Sequence, residues 1–165
     1  MTEVSKDYPL EKKIWTEADF EIMGWHDSPI YGMTWSNSTS GSADLIFDID
    51  YIFEWIHPEP PDTYFSFWIA PATLIFKDTY NVKIDVGAAY ERISDMEIAD
   101  INRLDEVPYE GGIISWKWEI ALQNGTITFE SRGYDQIIKG NPVNTTKQCV
   151  PPELRGEVNF SRHHF

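Results

Sequence analysis

The sequence predicts a mainly β protein, an antiparallel sandwich or partly closed barrel with one or two short helices. Three observations predict it: apolar and polar residues alternate over 44–55, they alternate again over 114–122, and an Asn124-Gly125 turn follows. Successive side chains of a strand point to opposite faces, so a period of two is typical of a strand. Antiparallel strands joined by tight turns form sandwiches and barrels.

The strand predicted over 44–55 is the one against which we expect the rest of the chain to pack. Its apolar residues occupy every second position, and acidic residues occupy most positions between them. The apolar set is Leu45, Phe47, Ile49, Tyr51, Phe53 and Trp55, and the acidic set is Asp44, Asp48, Asp50 and Glu54. We predict that the apolar side faces the core and that the carboxylates face water.

Two elements are predicted ahead of this strand. The run Thr16-Glu17-Ala18-Asp19 has the form of a capping box and predicts a short helix, for which Gly24 is a suitable end. Residues 30–35 predict a strand, and the polar residues 37–42 predict a turn that joins it to the long strand as a hairpin.

The middle of the chain predicts further strands. Residues 64–69 are apolar on both faces, and Pro71 predicts a bend or bulge at 70–72 because proline cannot donate to a ladder. Alternation over 73–77 and over 81–86 predicts two strands with a turn between them. Residues 93–104 fit both a helix and a strand, and we favour a strand.

The clearest hairpin is predicted over 114–129, because the Asn-Gly turn places Ile127 and Phe129 on the same face as Ile120. Beyond it, residues 134–139 predict one helical turn, and an irregular tail follows.

Length and charge narrow the class of protein. A chain of 165 residues predicts one domain, 1–165, with residues 1–13 and 161–165 expected to be flexible. The net charge of −14 repels phosphate backbones and anionic lipids, so we expect no nucleic acid and no membrane partner. The single cysteine, Cys149, excludes an internal disulfide and favours a cytoplasmic location. The charge favours a basic partner.

The candidate site combines Trp25-His26-Asp27, at the predicted helix-to-strand turn, with Asp48 and Asp50 on the long strand. A histidine beside a carboxylate can act as a general base or a metal ligand. Two aspartates on one strand face, two positions apart, suit an oxygen-liganded cation or an acid/base pair. The competing interpretation is structural: a capped turn at Asp27, and aspartates paired with lysines across the sheet.

Four tryptophans, Trp55, Trp68, Trp116 and Trp118, could line a pocket for an apolar small molecule, or they could simply fill the core. The sequence has no glycine-rich nucleotide loop, no Cys-x-x-Cys and no Gly-x-Ser-x-Gly motif. We therefore expect no cofactor and no resident metal ion.

Several segments resemble a group of small uncharacterised bacterial proteins that share a domain of unknown function. The segments are Met23-Gly24-Trp25-His26-Asp27, the strand 44–55, residues 67–76 with Ala-Pro-Ala-Thr-Leu-Ile-Phe, Tyr134-Asp135-Gln136 and Asn141-Pro142-Val143. This resemblance implies no particular activity or catalytic residue. The acidic composition and the His-Asp before the first strand are also similar to immunity proteins of bacterial toxin systems.

Three functions follow as hypotheses. The first is a non-enzymatic, immunity-like binding protein that holds a protein partner, which we expect to be basic. The second is a metal-assisted hydrolase that brings His26 and Asp27 together with Asp48 and Asp50. The third is a binding protein for an apolar small molecule.

Overall fold

The computed structural model describes residues 7–36, 42–86, 92 and 96–165, and within this part of the chain nine strands form one antiparallel sheet. The strands are β1 (Ile14–Thr16), β2 (Ser28–Trp35), β3 (Ala43–Ile56), β4 (Ser66–Asp85), β5 (Glu97–Pro108), β6 (Ile114–Leu122), β7 (Gly125–Ser131), β8 (Gly133–Ile138) and β9 (Val143–Thr145). Short helices are a 3-10 turn over Glu17–Ile22, another over Glu110–Gly112, and α1 (Pro152–Arg155). The mainly β fold class is confirmed.

Strand β4 closes part of the sheet into a ring. The strand order is β1-β8-β4-β3-β2-β5-β6-β7, and an additional pairing joins β7 to β4. One edge of β4 pairs with β3, while its other edge pairs in turn with β9, β8 and β7. The strands β4, β3, β2, β5, β6 and β7 therefore form a closed path, which is the partly closed barrel that the sequence predicts.

The predicted bend at Pro71 is wrong, because β4 is continuous through it and Pro71 pairs opposite Asp50 without a register shift. The Pro71 carbonyl accepts a bond from the Lys139 N–H, just beyond the end of β8. The turn predicted between 77 and 81 is also wrong. It is replaced by an irregularity with positive φ at Asp78 and Asn81.

Most of the other predicted elements are confirmed. Thr16 and Asp19 form the predicted capping box, and β2 and β3 form an antiparallel pair. A polar turn over 37–42 is predicted to join these two strands, and residues 37–41 of it lie outside the described part of the chain. Of the ambiguous segment, residues 93–95 lie outside the described part of the chain, and the part from Glu97 onward is strand β5. β6 and β7 form the predicted hairpin, with Ile127 opposite Ile120 on one face. The predicted Asn124-Gly125 turn is wrong, because Leu122 pairs with Gly125, so the turn residues are Gln123 and Asn124 and the register is shifted by two residues. The helical turn predicted at 134–139 is wrong, because β8 bonds to β1 on one edge and to β4 on the other.

The main core cluster combines aliphatic side chains with aromatic side chains, many of which meet edge to face. Phe76 contacts Trp118, Phe129 and Tyr134 with ring centroids 4.6 to 5.6 Å apart. Phe47 and Ile49 of β3 are also fully buried in this cluster. The prediction that the apolar side of the long strand faces the core is therefore confirmed.

The outer face of β3 and β4 is covered by the last part of the chain, which we call the C-terminal segment (residues 146–165). Val150 packs with Ile52, Phe67 and Ile69. Phe160 packs against a second cluster of three isoleucines, Ile46, Ile75 and Ile137. Residues 45–52 are consequently buried on both faces of the sheet.

Candidate functional site

Asp48 and Asp50 lie side by side on the outer face of β3, beneath the C-terminal segment. Both side chains are 0% exposed. The expectation that these carboxylates face water is therefore wrong. The alternation of β3 was read correctly, but the segment that covers its acidic face comes roughly a hundred residues later, as the separation of Asp48 and Arg155 shows.

Arg155 joins the two aspartates. Its Nη1 and Nη2 donate to the two carboxylate oxygens of Asp48 at 3.1 and 2.6 Å. Its Nε donates to Asp50 Oδ1 at 3.0 Å, and its Nη2 also reaches the Ile49 carbonyl. This planar contact uses the fork of the guanidinium, which a lysine could not reproduce.

The remaining acceptor positions are filled as well. Lys139 Nζ donates to Asp48 Oδ1 at 2.7 Å, and the Asn159 N–H donates to Asp48 Oδ2. Tyr31 Oη and the Val150 N–H both donate to Asp50 Oδ2. We call Asp48, Asp50, Lys139 and Arg155 the buried ion cluster. Every carboxylate oxygen in it accepts a bond from the protein, so the cluster offers no open position to a metal or a substrate.

Local structure explains how the cations arrive there. Lys139 follows the last residue of β8, and its Nζ also donates to the Asn159 carbonyl, which fastens the C-terminal segment to the sheet. Arg155 is the last residue of α1, the single turn begun by Pro152, and its guanidinium lies 3.6 Å from the centre of the Tyr31 ring. The short helix thus directs the Arg155 side chain from the C-terminal segment toward the aspartates of β3.

Burial shifts the pKa of two members of the cluster, Asp50 and Lys139, against their charged forms. It raises the pKa of the Asp50 carboxyl, against the bonds from Tyr31 and Arg155 that favour the charged form. It lowers the pKa of the Lys139 ammonium, against the bond to Asp48. Burial and the bond to Asp50 together raise the pKa of Tyr31. Desolvation thus opposes the charges of Asp50 and Lys139, and their hydrogen-bond partners are needed to keep them ionised.

The Trp25-His26-Asp27 turn divides its side chains among three environments. Trp25 is buried in the core and donates from Nε1 to Gln136 Oε1 at 2.8 Å. Asp27, at positive φ, accepts bonds from the side chains of Gln123 and Gln148. Asp27 is thus held by amides from two other segments.

His26 lies at the surface, with its side chain 67% exposed. Its Nδ1 lies 3.1 Å from the Ala99 carbonyl, and its ring stacks on Trp55. None of its contacts in the described part of the chain is with Asp48 or Asp50. The structure brings two of the five candidate residues together directly, with His26 Nε2 at 3.5 Å from Asp27 Oδ2, and it brings Asp48 and Asp50 together through Arg155.

The nearest connection between the two halves of the candidate site runs through the backbone. Gln148 binds Asp27, and two residues later the Val150 N–H binds Asp50. Cys149 lies between them and lines a surface depression of about 450 Å³ with Tyr31 and Arg155. Burial raises the pKa of the Cys149 thiol, which disfavours the reactive thiolate.

The four tryptophans do not share a pocket. Trp118 is fully buried in the core and donates from Nε1 to the Ser131 carbonyl, and Trp116 packs partly against the same core. Trp55 is on the surface against His26 and Phe65, while Trp68 packs on Tyr8. These positions agree with core filling for Trp118 and, in part, for Trp116, while Trp55 and Trp68 pack against other aromatic rings nearer the surface.

Sequence reasoning missed Tyr31, Lys139 and Arg155, which hold the predicted aspartates. The signal that could have found them is chemical: two aspartates within a strand rich in isoleucine and phenylalanine require buried cations if that strand is covered. Nothing in the sequence around Lys139 or Arg155 identifies these two residues as the cations that pair with the aspartates.

Comparison with family models, with curated proteins and with solved structures finds no match to the chain. Among the described residues, no group of three or more His, Cys, Asp and Glu side chains is arranged to hold a metal ion. No helix in that part of the chain is long and apolar enough to cross a membrane.

Proposed function

We propose that this is a non-enzymatic binding protein that uses an acidic surface to hold a basic protein partner. One observation carries the proposal. The buried ion cluster pairs two aspartates with two cations and is neutral as a whole, so the net charge of −14 belongs entirely to the rest of the chain. The protein keeps its internal charges balanced and presents its acidic excess outside the cluster.

Such a surface affects association more than structure. Complementary charge raises the rate at which a basic partner is captured, and dissolved salt screens that effect. The same field repels nucleic acids and anionic lipids. The resemblance to immunity proteins of toxin systems suggests the kind of partner, a basic protein whose activity is blocked when it is bound, and a cytoplasmic location would suit that role.

The contacts of the candidate residues favour this function over the hydrolase. A hydrolytic site needs a free base and an open position for water or metal. Asp48 and Asp50 have neither, and Asp27 accepts bonds from two glutamines. A binding protein for an apolar molecule receives little support either, because the aromatic and aliphatic side chains of the core pack against one another.

Affinity capture tests the proposal. The immobilised protein is incubated with lysate of its source organism at about 50 mM and at about 500 mM salt, beside a control bait of similar size and charge. Captured proteins are identified, purified and tested for direct binding. The proposal expects a basic protein that binds this bait, not the control, and binds faster at low salt. It is overturned if purified candidates do not bind, or if their association ignores ionic strength.

A further inference from the structure

A depression of about 410 Å³ lies where β3 meets the chain that enters β1. Its walls combine aromatic rings with two carboxylates. We call it the aromatic-acidic depression and define it by Tyr8, Glu11, Trp15, Tyr51, Phe53 and Glu54. It lies apart from the buried ion cluster and shares no residue with it.

The rings of the depression form a connected wall. Phe53 lies at its centre, with ring centroids 4.9 Å from Tyr51, 5.4 Å from Tyr8 and 6.3 Å from Trp15. The faces of such rings carry negative potential, which attracts cations. One of these rings already contacts a cation: Lys12 Nζ, which pairs with Asp19, lies 4.7 Å from the centre of the Trp15 ring.

A bulge in β3 places a carboxylate beside these rings. Ile52 pairs with Ile69 and Glu54 pairs with Trp68, so Phe53 is the extra residue. Adjacent strand residues ordinarily point to opposite faces, but a bulge re-aims them, and Phe53 and Glu54 both line the depression. The irregularity thus gives the aromatic wall an acidic neighbour.

The two glutamates are available. Glu11 and Glu54 are exposed, and neither forms an ion pair with any cation among the described residues. Their charge reaches the aromatic wall: burial raises the pKa of the Tyr8 hydroxyl, and the negative charges of Glu54 and Glu11 raise it further. The depression therefore has an unneutralised negative field in contact with aromatic surface.

Trp15, which lines the depression, carries a buried polar atom that has no partner among the described residues. Trp15 is 9% exposed, and this atom is its Nε1–H. Buried donors are nearly always paired, so this indole N–H could gain an acceptor from a ligand through a small rearrangement that uncovers it. A peptide carbonyl is an acceptor of the right chemistry.

From these features we infer that the aromatic-acidic depression binds an arginine side chain of a polypeptide. A guanidinium stacks on aromatic faces and pairs with carboxylates through a planar fork, and this site offers both. The inference rests on the proposed function in that the arginine belongs to the basic partner. It adds the place at which the partner is bound, the aromatic-acidic depression, and the group that is bound there, an arginine side chain.

The experiment titrates the whole protein with short capped peptides that contain one arginine, one lysine or one citrulline in an otherwise identical glycine-serine sequence. Citrulline keeps the shape of arginine and removes its charge. Indole N–H resonances report binding, and Trp15→Phe identifies the Trp15 signal. The arginine peptide is expected to shift that signal, the lysine peptide to bind more weakly, and the citrulline peptide to leave the signal unchanged.

Charge-neutral variants complete the test. Glu11→Gln and Glu54→Gln are each expected to weaken arginine-peptide binding about two- to fivefold, the range for one exposed ion pair. Glu157→Gln, which removes an equal charge from the exposed part of the C-terminal segment, should leave it unchanged. Equal binding of arginine and citrulline peptides overturns the inference, and so does equal weakening by all three variants.

The outcomes also separate this inference from the proposed function. A basic partner whose binding is unaffected by Glu54→Gln leaves the function standing and removes this site. Specific arginine binding by a protein that captures no basic partner keeps the site and removes the function.

Discussion

The guanidinium of Arg155 forms two parallel hydrogen bonds with the carboxylate of Asp48, 107 residues earlier in the chain. Both side chains are almost wholly buried, at 4% and 0% exposure. This pair is where the C-terminal segment and the central strand become one structure. It also explains why the acidic face of β3 is not a reactive surface.

Removing Arg155 is predicted to destabilise the fold severely. Arg155→Ala leaves Asp48 and Asp50 buried with only part of their partners, and breaking a buried pair in this way costs about 3–5 kcal/mol. Arg162→Ala is the matched control, because Arg162 pairs with Asp44 at the surface and such pairs contribute about 0–1 kcal/mol. Urea denaturation measures both. Similar losses in the two variants would show that the cluster is not a structural element.

The contribution of Asp50 to the free energy of unfolding is predicted to decrease as pH rises. Burial raises the pKa of Asp50 in the folded protein above its unfolded value of about 3.9. The folded state then binds more protons than the unfolded state between these two values, so the contribution of Asp50 to stability falls as pH rises through that window.

The difference in unfolding free energy between the wild type and Asp50→Asn isolates this effect, because both proteins share all other titrating groups. Denaturation curves from about pH 4 to pH 7 should show the wild type losing stability relative to the variant. A difference that grows in favour of the wild type over this range would mean that the folded pKa of Asp50 is lowered.

Closure of the ring is predicted to depend on Gly125. This residue has φ +141°, and a Cβ there would lie 2.3 Å from the Asp85 carbonyl oxygen on β4. Because that contact is with backbone, Gly125→Ala is expected to cost about 1–3 kcal/mol. Gly24→Ala, where a Cβ meets nothing within 4 Å, should change the unfolding free energy by less than about 0.5 kcal/mol. Thermal denaturation of the pair checks this, and equal melting temperatures would contradict it.

The bond between Trp25 and Gln136 is predicted to couple the turn to β8. Trp25→Phe leaves the buried Gln136 Oε1 without its donor, at a cost of about 1–3 kcal/mol. Gln136→Leu in the same protein removes the orphaned acceptor. A double-mutant cycle should therefore give a combined loss smaller than the sum of the single losses. Strictly additive losses would show that this hydrogen bond does not stabilise the protein.

The elements that could be predicted from sequence are those with local causes. The alternation of β3 and the capping box at Thr16 each act within a few residues, and the structure confirms both. The hairpin of β6 and β7 is also confirmed, but its turn lies one residue earlier than predicted, at Gln123 and Asn124. The helical turn predicted at 134–139 failed because the pairing of Ile137 with Ile14 and Thr73 outweighs local propensity. Pairing across the sheet is not written into a short window of sequence.

The candidate site shows the same contrast between features that depend on nearby residues and features that depend on distant ones. The sequence showed correctly that Asp48 and Asp50 share one face, but not what covers that face. Their partners Lys139 and Arg155 are 91 and 107 residues from Asp48, and ordinary surface lysines and arginines look no different in the chain. The aromatic-acidic depression was missed for a related reason, since a bulge at Phe53 departs from the regular alternation on which the prediction depended.

The proposed capture of a basic partner by the acidic surface is tested most directly by the rate of association. Stopped-flow association with the purified partner should slow by about tenfold or more between roughly 50 and 500 mM salt, while dissociation changes little. An association rate that is the same at both ionic strengths would contradict the account.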